Sequence, residues 1–127
     1  MRIAIFGAGG LAKEILDIVM NFKFENIVFI DTKFCGFIWD YPIVNEKEVH
    51  LLAKENYKFI IGIADTKVRK KIKERFNDIE YINLIHPFAT LGYRQKEDVE
   101  KKKGNVIFGG VKISNSVKVG NFGIYYY

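Results

Sequence analysis

The chain has 127 residues, 49% of them hydrophobic, and carries a formal net charge of +5. This length suits one domain with a small appendage, and the apolar content is enough to bury a core. The basic residues are dispersed, without the stripe of cations and aromatics that reads nucleic acid, so no nucleic-acid partner is predicted. The mild positive charge is compatible with anionic ligands such as nucleotide phosphates.

The sequence carries few signals for export, membrane insertion or metal binding. The single cysteine, Cys35, cannot form a disulfide within the chain and fits a reducing compartment. The first residues lack a secretory pattern, and no apolar run is long enough to span a membrane. No group of His, Cys and carboxylates has ligand spacing. We therefore predict a cytoplasmic protein without a metal site or a membrane span.

The first thirty residues follow a strand, helix, strand pattern. Arg2–Phe6 is a short apolar run that leads directly into three glycines. From Leu11 onward the apolar residues recur at helical spacing. A second apolar run, Asn26–Ile30, is closed by Asp31. This unit predicts parallel strands joined by a right-handed crossover.

The same alternation continues to residue 85. A helix over residues 45–56 begins at a capping Asn45, and a helix over residues 65–76 begins at a capping Asp65. Strands are predicted at residues 58–63 and 80–85. The order βαβαβαβ predicts an α/β fold, a small Rossmann-like parallel sheet over residues 1–91.

An aromatic loop separates the second strand from the second helix. Residues 32–44 include an extended piece over 36–39 and several aromatic side chains, namely Phe34, Phe37, Trp39 and Tyr41. Two interpretations stay open: these rings cover the sheet edge or an oligomer contact, or they stack on a ligand.

The carboxyl-terminal part has a different period. Residues 92–104 are highly charged and are predicted to form a linker. Residues 105–127 place apolar side chains every six residues, at Ile107, Ile113, Val119 and Tyr125, with Val111 and Val117 at the same period. This period predicts the first, incomplete coil of a left-handed parallel β-helix. A single coil cannot bury its own interior, so it needs stacked neighbours.

The glycine loop after the first strand is the main functional signal. Residues 7–12 read G-x-G-x-x-A between a strand and a helix, and Asp31 follows about twenty residues later. Glycines let the backbone approach an anion, and the helix amino terminus favours phosphate. A nucleotide diphosphate is therefore predicted. NAD is one candidate, although the sheet is short and no substrate domain follows; alternatively, the glycines only permit a tight turn.

Several segments together resemble one family. These are IAIFGAGGLAKEILDIV, FID, FIIGIADTKVRKKI, YINLIHPFAT and VIFGGVKISNSVKVGN. In order and spacing they resemble the NeuD/PglD family of hexapeptide-repeat sugar acetyltransferases, which modify sialic acids or nucleotide-activated amino sugars in bacterial glycan biosynthesis. The resemblance spans nearly all of this chain but only the first half to two-thirds of a family member.

The resemblance implies a division of labour. The α/β domain would hold the nucleotide part of a UDP-sugar or a related nucleotide sugar. The β-helix would form a homotrimer, with acetyl-CoA between neighbouring β-helices. A histidine in a later hexad would act as general base on the sugar amine or hydroxyl.

The implied substrate-binding residues can be carried over by position. They are Gly7, Gly9, Gly10, Leu11, Ala12, Asp31, Thr32, Ala64 and Arg69. Compared with the family's pattern, Leu11 replaces a histidine, Thr32 replaces a second acidic residue, and Ala12 and Ala64 replace glycines. Each alanine adds a methyl group where the backbone should approach the ligand.

No catalytic residue is assigned within this chain. Its two histidines, His50 and His86, do not match the family's base. We expect His50 on a helix surface and His86 in a structural role at a strand end. The chain by itself is therefore expected to be inactive, because the catalytic histidine and the acetyl-CoA site belong to later coils.

Four hypotheses remain open from the sequence. The chain is a fragment or truncated product of an acetyl-CoA-dependent acyltransferase, of which it supplies the nucleotide-sugar-binding part; a non-catalytic nucleotide-sugar-binding module or truncated remnant; a fragment of an NAD-dependent oxidoreductase; or a structural subunit that oligomerises through its hexads.

Overall fold

The computed structural model describes residues 1–126, so Tyr127 of the predicted coil lies outside the described residues. The helices are α1 (Gly10–Val19), α2 (Val49–Lys54), α3 (Thr66–Arg75) and α4 (Gln95–Glu100), with a 3-10 turn at Glu46–Glu48. The strands are β1 (Arg2–Phe6), β2 (Asn26–Ile30), β3 (Gly36–Ile38), β4 (Tyr41–Val44), β5 (Tyr57–Ile61), β6 (Leu84–Ile85), β7 (Thr90–Leu91), β8 (Val106–Ile107), β9 (Lys112–Ile113) and β10 (Ile124–Tyr125).

A five-stranded sheet forms the centre of the amino-terminal part, in the order β3-β4-β2-β1-β5. All pairs are parallel except β3 with β4. The interior strands are apolar almost throughout because helices cover both faces of the sheet. The predicted α/β fold with a parallel sheet is confirmed.

Two apolar cores lie on opposite faces of this sheet. On one face α1 packs Ile15 and Ile18 against the inward side chains of β1 and β2. On the other face α2 and α3 contribute Leu52 and Ile72. The second core also contains the ring of Phe6, whose centroid lies 5.9 Å from that of Phe59. The apolar residues at helical spacing in α1, α2 and α3 are therefore the ones that pack against the sheet.

The aromatic loop forms the hairpin β3–β4 at the sheet edge. Phe37 and Trp39 are strongly exposed there, whereas Ile38 is buried and joins the α1 core. β3 is an edge strand in the described residues. The hairpin thus extends the sheet, and its exposed rings face away from both cores.

The chain from residue 80 onward leaves the main sheet. Tyr81 makes one parallel bridge to Phe59, and then β6 pairs with β8 instead of extending the sheet. β8 also pairs with β10, and β7 pairs with β9, all in parallel. The strand that we predicted at residues 80–85 is therefore divided between the two parts of the molecule. The two-residue strands β6 and β7 pair with the carboxyl-terminal segment. From the sequence we predicted that these residues belong to the Rossmann-like sheet over residues 1–91.

The six-residue period marks the buried side of this segment. Ile107, Ile113 and Val119 are buried together in a third apolar cluster. Ile107 lies in register with half-buried Tyr125, three hexads further along the chain. The second series is split, because Val111 is buried whereas Val117 is exposed.

The charged segment 92–104 contains α4, which packs onto the carboxyl-terminal segment. Gln95 is only 1% exposed, and its Nε2 donates hydrogen bonds to the carbonyl oxygens of Ser114 and Val117. Val99, one turn later on the same face, is fully buried. The charges that suggested a linker lie on the solvent side of this short helix.

A buried amide side chain holds the turns of this segment together. Asn105 is fully buried, and its Nδ2 donates to Gly120 O at 2.8 Å and to Asn83 Oδ1 at 3.1 Å. Its Oδ1 accepts from Gly123 N–H at 2.8 Å. The side chain of Asn83 in turn donates to backbone carbonyls near α4. Asn105 therefore satisfies backbone groups of two neighbouring turns from a buried position.

We expect Asn105→Ala to lower the free energy of unfolding by about 2–4 kcal/mol, because it leaves Gly123 N–H and Gly120 C=O without their partner. Urea denaturation followed by circular dichroism measures this loss. Asn115→Ala, at an exposed position, is the control and should change stability by less than about 0.5 kcal/mol. Equal effects of the two substitutions would contradict the assigned role.

Candidate functional site

The predicted nucleotide-binding segments meet at the carboxyl edge of the main sheet. Phe6, the last residue of β1, is in register with Ile30 of β2 and Ile61 of β5. Gly7 N–H donates to Ile30 O at 2.7 Å, and Gly62 N–H donates to Phe6 O at 2.8 Å. The glycine loop, the Asp31 loop and the loop after β5 are therefore neighbours. In α/β sheets, ligands bind at this edge, where the chain diverges to both sides of the first strand.

Gly7 makes the strand-to-helix turn possible. Its φ is +109°, a conformation that other residues rarely adopt. A Cβ atom at this position would lie 2.7 Å from Gly62 O and 2.9 Å from Ile63 Cγ1. Gly7 is buried and therefore shapes the loop without offering surface to a ligand.

Gly9 and Gly10 have the opposite environment. Both are exposed, and a Cβ atom added at either would meet nothing within 4 Å. Gly9 is the residue before α1, no side chain caps this helix, and its first turn contains no acidic residue. The free amides and the positive end of the helix dipole thus face open space, which suits an anionic group.

The next two loop residues point toward the protein interior. Ala12 is fully buried in the α1 core, and its Cα is 3.1 Å from the position of a Cβ on Gly62. Leu11 is half-buried against the same core. The Ala12 methyl therefore belongs to helix–sheet packing, and the close approach is made by Gly62, a residue that the sequence analysis did not single out.

Asp31 organises the loop that follows β2. Its Oδ1 accepts from Lys33 N–H at 2.7 Å and from Phe34 N–H at 3.1 Å. Among the described residues, no hydrogen bond engages its Oδ2. Thr32 beside it is exposed. One carboxylate oxygen thus fixes the loop while the other is available to a ligand.

The loop after β5 carries the last two predicted residues. Ala64 is exposed, directly before Asp65, whose carboxylate caps α3 by accepting from Lys67 N–H and Val68 N–H. Arg69 is buried, and its guanidinium donates to backbone carbonyls, including Ile61 O at 3.0 Å. Burial lowers the pKa of Arg69. Ala64 therefore lies on the open side of the edge, whereas Arg69 supports the edge from within.

Tyr126 was not predicted to lie near the site. Its ring stacks on that of Phe108 with a centroid distance of 5.0 Å and an angle of 8°, and it is 55% exposed. Partial burial and the Glu14 carboxylate raise the pKa of Tyr126, and the Arg69 guanidinium opposes this shift. Its stacking partner Phe108 packs against the apolar core that contains α1, so Tyr126 lies on the α1 side of the main sheet.

The two histidines lie away from the glycine loop. His50 Nε2 lies 3.1 Å from Asp78 Oδ2 on the surface. His86 Nδ1 accepts from Phe88 N–H at 3.0 Å, so it terminates β6 locally. His86 also lines the larger of two adjoining cavities, of about 770 and 310 Å³, which contain none of the predicted substrate-binding residues.

Residues 1–126 contain no group of three or more His, Cys, Asp and Glu side chains that could hold a metal ion. None of their helices is long and apolar enough to cross a membrane.

Residues 2–76, which contain the whole five-stranded sheet and every predicted site residue, match the model of the PglD N-terminal domain family. The chain belongs to this family. The resemblance inferred from the glycine loop and the segments after β2 and β5 is therefore confirmed. The matched range ends just after α3 and before β6.

Solved structures share the fold beyond that range. The chain is similar to the acetyltransferase domain of PglB from Neisseria gonorrhoeae, with a TM-score of 0.78 and 20% identity over 97% of this chain and 60% of that one. It is also similar to PerB from Caulobacter crescentus in complex with CoA and GDP-perosamine, with a TM-score of 0.76 and 20% identity over 99% of this chain and 60% of that one.

A curated relative is a viral protein of unknown role. The uncharacterized protein L142 of Acanthamoeba polyphaga mimivirus is 26% identical over 125 residues, which is 98% of this chain and 24% of that protein. The chain thus spans about three-fifths of the similar solved structures and a quarter of the viral relative.

The two classes of glycine predict opposite mutational effects on stability. Gly7→Ala should destabilise the protein by about 1–3 kcal/mol through its positive φ alone, and further through the contact with Gly62 O. Gly9→Ala should change stability by less than about 0.5 kcal/mol, because its methyl enters open space. Urea unfolding of both variants checks this difference; a Gly7→Ala protein as stable as the wild type would contradict the assigned turn.

Proposed function

We propose that this PglD-family domain binds a nucleotide sugar at the carboxyl edge of its sheet, as the part of an acetyl-CoA-dependent sugar N-acetyltransferase that holds the acetyl acceptor. The open, uncapped amino terminus of α1 behind Gly9 and Gly10 carries the proposal. The names of the similar solved structures support it, since PerB is in complex with CoA and GDP-perosamine, and PglB has been solved with acetyl coenzyme A.

In this proposal the diphosphate binds at the amino terminus of α1. The backbone amides after Gly9 donate to phosphate oxygens, and the helix dipole adds to the attraction. Asp31 accepts from a ribose hydroxyl or a base N–H through Oδ2, because Oδ1 is engaged in its loop. Of the two alanines that replace family glycines, only Ala64 presents its methyl to this edge, since Ala12 is buried.

The parallel turns of residues 84–126 would begin the left-handed β-helix of such an enzyme. Support comes from the in-register pairing of Ile107 with Tyr125 after three hexads and from the buried six-residue series. A homotrimer of β-helices would hold acetyl-CoA. The sugar amine would attack the thioester carbonyl, forming the N–C bond and breaking the C–S bond. A base would take the amine proton and pass it to the departing CoA thiolate, which leaves as the free thiol.

A thermal-shift comparison of UDP, GDP, a UDP-amino sugar, NAD and acetyl-CoA tests the ligand class. We expect the nucleoside diphosphates or their sugars to stabilise the chain, by about 2.7 kcal/mol at a hundred times the dissociation constant. Stabilisation by NAD with no response to UDP or GDP would instead favour the hypothesis that the G-x-G-x-x-A loop belongs to an NAD-dependent oxidoreductase.

A matched pair of glycine variants locates the binding. Gly9→Val should abolish stabilisation by the nucleotide, because its side chain fills the space that the phosphate needs. Gly120→Val is the control, since Gly120 is equally open but lies in the carboxyl-terminal segment. Unchanged nucleotide affinity in Gly9→Val would place the ligand elsewhere.

Asp31→Asn separates ligand contact from loop support. Asparagine keeps an oxygen acceptor for Lys33 N–H and Phe34 N–H but removes the negative charge. We expect about tenfold or greater loss of nucleotide affinity, corresponding to one hydrogen bond to a charged group, at nearly unchanged stability. Calorimetric titration measures the affinity, and Asp40→Asn in the exposed β3–β4 turn is the charge-matched control. Equal affinities of all three proteins would exclude Asp31 from the site.

A further inference from the structure

Arg69 is a buried cation whose partners in residues 1–126 are backbone carbonyls. It is 6% exposed, and its Nη1 donates to Ile61 O at 3.0 Å and to Ile63 O at 3.1 Å. Its Nη2 donates to Phe122 O at 2.6 Å. No carboxylate of the described residues pairs with it within 4 Å. A buried charge is costly unless it is fully hydrogen-bonded, so this arrangement depends on all three carbonyls.

The first two carbonyls flank the residue that supports the glycine turn. Ile61 and Ile63 lie on either side of Gly62, whose N–H donates to Phe6 O at 2.8 Å. The carbonyl oxygen of Gly62 in turn approaches the α carbon of Gly7 so closely that no side chain fits there. By fixing both neighbours of Gly62, Arg69 positions the backbone on which the glycine loop rests.

The third carbonyl belongs to the carboxyl-terminal segment. Phe122 has a left-handed backbone with φ of 57°, and its N–H donates to Lys103 O at 2.9 Å. Its ring packs edge-on against Tyr81 at 4.9 Å and lies beneath the Lys73 ammonium at 5.1 Å. Because β10 begins two residues later, the position of Phe122 also sets the start of that strand.

We infer that Arg69 is a positioning residue that couples the nucleotide-binding edge of the sheet to the carboxyl-terminal segment. It does not bind the nucleotide; it holds the support of the glycine loop and the Phe122 turn in one hydrogen-bonded unit. Ordering of either part then stabilises the other, and this coupling is reciprocal. Lysine cannot replace the planar fork, because a single ammonium cannot reach carbonyls in these three directions with the same geometry.

The coupling can be measured without any ligand by a double-mutant cycle. Amide hydrogen exchange at Gly62, a residue 60 positions from Phe122 in the chain, is the readout. Phe122→Ala keeps the carbonyl but loses the ring contacts with Tyr81 and Lys73 that hold this turn in place against Arg69. We expect it to raise exchange at Gly62 about fivefold or more in the wild-type background, and to add little in the Arg69→Lys background. Additive effects of the two substitutions would overturn the inference.

The controls separate coupling from general loss of stability. Arg75→Lys makes the same substitution on α3 at an exposed position that pairs with Glu46, and it should leave the response of Gly62 to Phe122→Ala intact. The amide of Met20, which donates to Leu16 O at the end of α1, should not respond. If Arg69→Lys does not fold, Phe122→Ala alone still decides, because an unchanged Gly62 would refute the coupling.

A second hydrogen-exchange experiment, which rests on the proposed function, adds UDP or GDP. The nucleotide should slow exchange at the Gly123 amide, which donates to Asn105 Oδ1, in the wild type and in Arg75→Lys. In Arg69→Lys at saturating nucleotide this protection should be lost. Equal protection in all three proteins would overturn the coupling. A wild type that binds no nucleotide would instead overturn the proposed function, while the ligand-free cycle would still decide the role of Arg69.

Discussion

The close contact between the first turn of the chain and the end of β5 determines the geometry of this protein. Gly7 adopts a positive φ against Gly62 O, and Ala12 Cα approaches the α carbon of Gly62 from the helix side. Because Gly7 and Gly62 lack side chains, the turn after β1 and the loop after β5 pack closely together, and α1 begins at the sheet edge after a short turn. A larger residue at Gly7 or Gly62 would displace α1 and its amino terminus.

In the carboxyl-terminal segment, buried polar side chains determine the geometry instead of close backbone packing. Its strands have only two residues each, so their backbone pairing alone fixes little of the chain. Asn105 and Gln95 bind carbonyls or amides of neighbouring turns, and Arg69 links Phe122 to the main sheet. Since each would be costly to bury unpaired, these side chains specify one arrangement of the segment relative to the α/β part.

This arrangement links the proposed nucleotide site to the carboxyl-terminal segment of this PglD-family chain. The same residues that form the exposed edge at Gly9, Asp31 and Ala64 are backed by groups that reach the carboxyl-terminal turns. Phe108, on which Tyr126 stacks, packs against the apolar core that contains the buried side of α1.

The sequence by itself determined the α/β class, the glycine turn, the cap of α3 by Asp65 and the six-residue period, because each depends on local spacing or on one residue's conformational preference. Only the tertiary structure decided that β6 pairs with β8 instead of joining the main sheet, that Ala12 is buried, and that Arg69 is buried and donates to backbone carbonyls. It also revealed Asn105 and α4 inside a charged run. These features depend on which backbone groups, far apart in the sequence, need hydrogen-bond partners once the chain has packed. A linear pattern of residue types does not show which distant residues come into contact.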